Sequence, residues 1–413
     1  MKSYYRMCKP KLAVICGLPP NKEGESNYSY QVYNEFLNKY SHIYEVKFFS
    51  HKIDSNEVLP INKWKIIRLT EGIGIKRLLS VFKLLIQVLK YNPKVVHLQG
   101  AHTSLYGMNI GEPIIVLLLV FKLRGIKTVH TIHSTWLDIH LTEMFNEKKS
   151  NSIVRYFGKL YIKLVTKCAN QLVDVLRVLV AGEFSDMDKK YVSYYKLKHT
   201  LIKKELHPCS LNKVDIDTII NIRKLNNFSD KYVFLASGFV RRDKGYHKII
   251  EVFPELISFF PNIKLIIAGL PQGSDGMKYS IELEQQVNDL DLTKYVDLRF
   301  YFIENEEYDS IFLSANSIII PYTRSIGASG PMHNAISLGK TIIASDLDHN
   351  CGLRNVVNLY DPFMKESMIN ALKEAIIRNE IINNNSIQYA KKHLWSDLAF
   401  DYYNDYQQLL NGK

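Results

Sequence analysis

The sequence predicts an α/β protein made of two units of about 200 residues, each a parallel sheet with helices on both faces. Three observations predict it. Short apolar runs alternate with longer amphipathic stretches, in two successive series, along the 413 residues. The runs end in small, polar or glycine-rich segments, which is where open α/β sheets place their ligand sites. Finally, residues 312–345 read in full as strand, small-residue loop, helix, Gly turn and strand.

In the first series, residues 11–18 are a strand, and their apolar run is too short for a signal-peptide core. Turn formers fill residues 19–27, and Tyr28–Tyr40 reads as a helix. Glu45–Phe49 is a second strand, Ile73–Tyr91 a helix with basic residues among its apolar positions, and Val95–Leu98 a strand ending at Gln99 and Gly100. Pro113–Leu123 is a buried helix, Thr128–His133 a strand, and Ile153–Ala169 a basic amphipathic helix. Residues 181–230 show no regular pattern.

The second series begins with strand Tyr232–Ala236, helix Tyr246–Phe259 and strand Ile263–Ala268. A loop over 271–276, a helix Tyr279–Leu290 and a strand Val296–Phe302 follow. Ile318–Ile320 is a buried strand closed by Pro321, and Gly327, Ala328, Ser329 and Gly330 precede Pro331 at the start of a helix that Gly339 ends. Such a loop aims backbone N–H groups at an anion, and a diphosphate suits it. Lys365–Arg378 is a helix, and Ser386–Leu410 reads as one long helix. The predicted domains are residues 1–206, residues 207–385, and a C-terminal helix, 386–413, returning to the first domain.

Net charge is +12. Residues 1–200 carry 30 Lys and Arg against 15 Asp and Glu, whereas 201–413 carry 23 against 26. The basic half implies an anionic partner or a solvated lysine-rich surface. Nucleic acid is not expected, because no nucleic-acid motif accompanies the charge. Five cysteines without a CxxC or framework spacing read as reduced thiols in the cytosol. Asp-x-Asp occurs at 186–188, 215–217 and 346–348, a spelling that arises by chance, and no metal site is expected. There is no GxGxxG, so a dinucleotide fingerprint is absent.

The first strand of the second series ends in Gly238-Phe239-Val240-Arg241-Arg242-Asp243-Lys244-Gly245. Two arginines and a lysine between glycines, before a helix, suit a phosphate. This segment and the 325–330 loop belong to the same sheet edge.

Here the chain resembles a retaining glycosyltransferase of family 4 with the GT-B architecture, two facing Rossmann-like domains with parallel sheets. The resemblance is specific in GFVRRDKG (238–245), NIKLIIAG (262–269), ANSIIIPY (315–322) and GASGPMHNAISLGKTIIASD (327–346). It is weaker in KEGESNY (22–28), VVHLQG (95–100) and TVHTIHS (128–134). It implies transfer of a hexose from a nucleotide-diphospho-sugar co-substrate to a glycan or lipid-linked acceptor, with retention and without a metal or other cofactor. The donor would lie in the second domain and the acceptor would meet the first.

The resemblance also implies roles. Lys244 would hold the diphosphate, with Arg241 beside it and Arg242 in reserve. His133 would touch the donor sugar, and Gly24 and Glu25 would close over its phosphate. Ile303 follows the strand whose end meets the nucleobase, and the 327–330 loop lines the donor. Many family members carry a Glu–seven residues–Glu motif, and its two positions are Ile326 and Asn334 here. Asn334 can bond a ribose hydroxyl without being an anion. This departure supports a second reading, a non-catalytic binding module or partner subunit. An inverting reaction would need a general base, for which Asp138 and Glu25 are the candidates. His97 and His130 read as structural. The expected location is cytoplasmic, with peripheral contact to an anionic membrane through the basic helices as the alternative to their packing on a sheet.

Overall fold

The two alternating series form two parallel sheets in a computed structural model that describes residues 9–21, 24–52, 64–70, 75–100, 113–147, 150–198, 201–211 and 215–412. One unit comprises the chain up to Val180, Asp186–Glu205 and Trp395 onward; the other comprises Ala181–Ser185 and Leu206–Leu394.

The first unit runs β1 (Lys11–Ile15), α1 (Gly24–Tyr40), β2 (Glu45–His51), β3 (Ile66–Thr70), α2 (Ile75–Tyr91), β4 (Val95–Gln99) and α3 (Pro113–Leu123). It continues with β5 (Lys127–Ile132), α4 (Asp138–Glu147), α5 (Ser152–Leu172), β6 (Val175–Val180), α6 (Met187–Tyr195) and β7 (Leu201–Leu206). The sheet order is β3-β2-β1-β4-β5-β6-β7. β1 pairs in parallel with both β2 and β4, so the winding reverses at β1.

The second unit runs α7 (Ile216–Leu225), β8 (Tyr232–Ser237), α8 (Tyr246–Phe259), β9 (Ile263–Ala268), α9 (Gly273–Asp289), β10 (Val296–Arg299) and α10 (Asn305–Ser314). Then come β11 (Ser317–Ile320), α11 (Gly330–Ser337), β12 (Thr341–Ser345), β13 (Asn358–Tyr360), α12 (Lys365–Arg378) and α13 (Asn384–Lys392). Its sheet order is β10-β9-β8-β11-β12-β13, and its strand pairs are parallel. β8 lies between β9 and β11, so its carboxyl end is the switch point of this sheet.

The strands read as continuous apolar runs because both faces are covered. Phe234, Leu265, Ile319 and Ile343 pack with Ile250 and Phe253 of α8 and Leu372 of α12. Val233, Leu235, Ile318 and Ile342 pack on the other face with Phe312 of α10 and Met332 and Ile336 of α11. Each strand side chain alternates between the two cores.

The observed elements differ from the predicted ones where tertiary contacts decide. The tail is two helices, α13 and α14 (Trp395–Leu410), not one. The break falls where Cys209 N–H donates to His393 O at 2.7 Å and Leu394 bridges to Cys209. Residues 181–230, without pattern in the sequence, hold α6, β7 and α7. β10 stops at Arg299, and Phe300–Ile303 is a connection. α9 begins at Gly273, inside the predicted loop; a Cβ at Gly276 would lie 2.6 Å from Val240 O, so the helix start is packed on the loop after β8. Ile73, the predicted first residue of the second helix, lies outside the described residues, as do Lys22 and Glu23 of the KEGESNY stretch. None of the helices among the described residues is long and apolar enough to cross a membrane.

Candidate active site

In the second unit the loops after β8 and β11 meet. Gly245 has φ +69°, and a Cβ there would collide with Pro321 O, so only glycine lets the two loops close. Thr323 N–H donates to Asp243 O at 2.9 Å. From β12, Ser345 Oγ donates to Tyr322 O at 2.7 Å and holds the second loop from behind.

This closure brings together the two stretches singled out in the sequence. Lys244 Nζ lies 3.7 Å from the centroid of the Tyr322 ring. The Tyr322 hydroxyl is 2.9 Å from Ser329 Oγ. Ser329 is the N-cap of α11, its Oγ accepting from Met332 N–H at 3.4 Å. A cation therefore stands over an aromatic ring whose hydroxyl touches a helix N-terminus. Tyr322 was not anticipated; its only signal was its place just after Pro321 at the end of a strand.

The arginines are placed differently. Arg241 forms a fork on Asp243, 2.9 and 2.7 Å, and Nη1 donates to Gln272 Oε1 at 3.0 Å. Burial opposes the charge on Arg241, but the Asp243 hydrogen bond and charge hold its pKa above the ordinary value. Arg242 turns to α9, pairing with Glu282 and lying 5.1 Å from the Tyr279 ring centroid. Gly327 O accepts from Ser325 Oγ at 3.1 Å, which curls the loop before Ala328, Ser329 and Gly330. Ile326 and Ala328 are half-buried, and Ile303 packs on the α10–α11 side of the sheet. Asn334 Nδ2 is enclosed and has no hydrogen-bond partner among the described residues.

His333, also unanticipated, is buried on α11 with Nδ1 2.8 Å from Ser329 O and Nε2 2.8 Å from Ala181 O. Burial lowers its pKa, against the two carbonyls, which raise it. A cleft of about 460 Å³ in this unit is lined by Glu183, Phe184, Tyr389 and neighbouring residues, away from the loops just described.

In the first unit, His133, Gly24 and Glu25 collect at the carboxyl edge of the sheet. Glu25 Oε2 is packed against Gly100, φ +99°, at the end of β4. His133, one residue past β5, contacts Gln99 Oε1 through Nε2 at 3.0 Å. An amide oxygen only accepts, so Nε2 carries the proton and Nδ1 keeps its lone pair. The His133 ring meets Tyr28 of α1 edge-on, with centroids 4.6 Å apart.

Behind His133 lies a buried polar network. Gln99 Nε2 donates to the Tyr402 hydroxyl at 2.7 Å. Tyr402 and Tyr28 both donate to Glu205 Oε1, at 3.1 and 2.6 Å. Arg177 Nη1 is 3.3 Å from Glu205 Oε2, and its Nε donates to Asp405 Oδ2 at 2.6 Å. Lys203 also pairs with Asp405. Burial opposes the charge on Arg177, yet the carboxylates of Glu205 and Asp405 hold its pKa above the ordinary value. His97 bonds Tyr33, Tyr406 and Thr131, which makes it structural as read from the sequence.

Burial, then the neighbouring His130, pushes the His133 pKa down to about 3. Burial pushes His130 down to about 4, against hydrogen bonds with Gly100 and Asn170. Both folded values lie below the ordinary 6.5 of a free imidazole, so the unfolded chain takes up protons first as pH falls. Their contribution is complete above pH 6.5 and is lost toward pH 4 and 3. The stability of the first unit is expected to fall over this window by up to about 1.4 kcal/mol per pH unit per histidine. Urea titrations at several pH values check this, and His133→Asn is expected to flatten the slope.

Two Rossmann-like units with parallel sheets define the GT-B fold. Residues 217–393 match the family model described as glycosyl transferases group 1, which places Arg241, Lys244, Tyr322, Ser329 and all of α11 inside that match. The chain is similar to alpha-monoglucosyldiacylglycerol synthase of Acholeplasma laidlawii, 22% identical over 298 residues, spanning 66% of this chain and 67% of that one. Sucrose-phosphate synthase from Thermosynechococcus elongatus shares the fold with a TM-score of 0.74 at 18% identity, over 98% of this chain and 100% of the other. Anabaena HepE, solved in complex with UDP-glucose, gives a TM-score of 0.69 at 13% identity, over 97% and 98% of the two chains. Among the described residues no group of three His, Cys, Asp or Glu could hold a metal ion.

Proposed function

We propose that the protein transfers a hexose from a nucleoside-diphospho-sugar to a glycan or lipid-linked acceptor, with retention at the anomeric carbon. The observation that carries the reading is the junction of Lys244, Tyr322, Ser329 and the α11 N-terminus at the switch point of the second sheet. A cation beside a helix N-terminus and the small-residue loop that leads to it is the chemistry a diphosphate requires. The group 1 match over the same residues supports it, and so does the UDP-glucose held by Anabaena HepE. The lipid-linked acceptor is supported by the glucolipid in the name of the A. laidlawii relative.

In this reading Lys244 and Arg241 face the diphosphate, and Arg241 is held in place by its fork on Asp243. The Ile326–Gly330 loop and Asn334 line the donor, and Asn334 Nδ2, enclosed and without a partner among the described residues, is the group left to meet a ribose oxygen. His133 meets the sugar as a neutral ring, and Gly24 and Glu25 lie near the phosphate. Arg242 is the reserve cation, and Ile303 sits by the base. The acceptor hydroxyl oxygen bonds to the anomeric carbon as the sugar–phosphate bond breaks on the same face. Its proton passes to the leaving phosphate oxygen, so no protein carboxylate and no metal is needed. The protein's part is to stabilise charge growing on the diphosphate. The enzyme belongs to glycan biosynthesis in the cytoplasm, in peripheral contact with an anionic membrane.

Ile326 and Asn334, in place of two carboxylates, favour the second reading of a donor-binding module without turnover. Incubation with UDP-, GDP- and ADP-hexoses, with proton NMR of the sugar product, separates the two. Nucleoside diphosphate release with a retained anomer is expected. A bound donor that stays intact with water and with lipid and glycan acceptors would establish the binding module. An inverted product would overturn retention and bring forward Asp138 or Glu25 as base.

A further inference from the structure

The polar chain behind His133 runs in one direction. Glu205 of β7 accepts from Tyr28 and Tyr402 on Oε1, at 2.6 and 3.1 Å, and from Arg177 and Thr131 on Oε2, at 3.3 and 3.5 Å. Burial raises its pKa, against the Arg177 charge and the tyrosine hydrogen bonds, which hold it as a carboxylate at neutral pH. A carboxylate only accepts, so the Tyr402 proton is committed to it. The Tyr402 oxygen is left to accept, and Gln99 Nε2 donates to it at 2.7 Å. That turns the other end of the amide, Oε1, to His133 Nε2 at 3.0 Å. Glu205, Gln99 and Tyr402 are each no more than 1% exposed, so these contacts are closed to bulk water.

The same carboxylate also steadies the ring. Tyr28, whose hydroxyl it holds, meets the His133 ring edge-on at 4.6 Å and the Trp395 ring at 4.9 Å. One group on β7 therefore reaches His133 twice, through an amide on Nε2 and through an aromatic edge. Tyr402 belongs to α14, and Arg177 lies 5.0 Å from its ring centroid while bonding Asp405 of the same helix. An aromatic ring alone would fill that space. The hydroxyl is what gives the chain its direction.

We propose that Glu205, Tyr402 and Gln99 are positioning residues that lock His133 as its Nε2–H tautomer, so that Nδ1 accepts a hydrogen bond from a hydroxyl of the donor sugar. In a neutral imidazole, the hydrogen bond made by one nitrogen decides which of the two carries the proton. Without the Tyr402 hydroxyl the Gln99 amide is free to turn over and present N–H groups to the ring. The proton then moves to Nδ1, and the sugar hydroxyl loses its acceptor. The lock is a property of the first unit alone. The sugar contact rests on the donor reading above.

Long-range proton–nitrogen NMR of the full chain reads the tautomer, with the His133 signals assigned by their loss in His133→Asn. The wild type is expected to show a protonated Nε2 and an unprotonated Nδ1. Tyr402→Phe, which keeps the aromatic ring, and Gln99→Leu are each expected to give a mixed or Nδ1–H ring. Binding is then measured with UDP-, GDP- and ADP-hexoses and with bare UDP, GDP and ADP. Tyr402→Phe is expected to bind the nucleotide-sugar about tenfold more weakly and the matching bare nucleotide equally well, because His133 meets only the sugar. A mixed or Nδ1–H ring in the wild type, or a pure Nε2–H ring in both variants, overturns the lock. An equal loss for sugar and bare nucleotide, or no loss for either, overturns the sugar contact. If the wild type binds none of the nucleotide-sugars, the donor reading fails and the sugar contact with it, while the imidazole spectrum still decides the lock.

Discussion

Lys244→Ala is expected to slow hexose transfer by about two to three orders of magnitude, the usual loss when one group that stabilises transition-state charge is removed. Its Nζ sits over Tyr322 in the loop that leads to the capped N-terminus of α11. Among the described residues no other cation is stacked on the Tyr322 ring. Arg241 is tied to Asp243 and Gln272, and Arg242 to Glu282, so neither moves into the place of the lost ammonium without breaking a fork or an ion pair. The fold should survive, because a partly exposed cation–π contact is worth only about 0.5–1 kcal/mol. Transfer at near wild-type rate, with the melting midpoint unchanged, would remove Lys244 from the diphosphate.

Asp405→Ala is expected to destabilise the first unit by about 3–5 kcal/mol, the cost of stranding a buried charge. Arg177, Glu205 and Asp405 are each no more than 2% exposed. Removing Asp405 takes the 2.6 Å partner of Arg177 Nε and the partner of Lys203 together. All three tryptophans, Trp64, Trp136 and Trp395, lie in the first unit, so their fluorescence in urea reports this unit alone. Replacing the charged group as a whole by apolar residues of similar size is expected to cost less than the single change. A shift below about 1 kcal/mol for Asp405→Ala would mean that water or another group compensates Arg177.

The parallel sheets were legible in the sequence because strands covered on both faces spell continuous apolar runs, as Tyr232–Ala236 and Ile318–Ile320 do. The start of α11 was legible from Ser329 and Pro331, since capping chemistry is local. The contact of Lys244 with Tyr322 was not, because it depends on Gly245 letting two distant loops close. The buried network was missed for a similar reason. Arg177 stands in the otherwise apolar run Val175–Val180, and a lone charge in a two-faced strand demands a buried partner. That signal was present, but its partners, Glu205 and Asp405, lie far along the chain. The stretch 181–230 hid three elements because α7 has one fully buried residue, Ile219, and β7 faces solvent over much of its length. Neither spells a strong period.

The most direct test of the donor site is the melting midpoint of wild type and Lys244→Ala against a panel of UDP-, GDP- and ADP-sugars. A ligand that binds only the folded chain raises the midpoint, by about 2.7 kcal/mol of stabilisation at a hundredfold excess over its Kd. The expected result is a rise with one nucleotide family in the wild type and a much smaller one in the variant. No rise with any of the sugars, or an equal rise in both proteins, would contradict a diphosphate held at Lys244 and the N-terminus of α11.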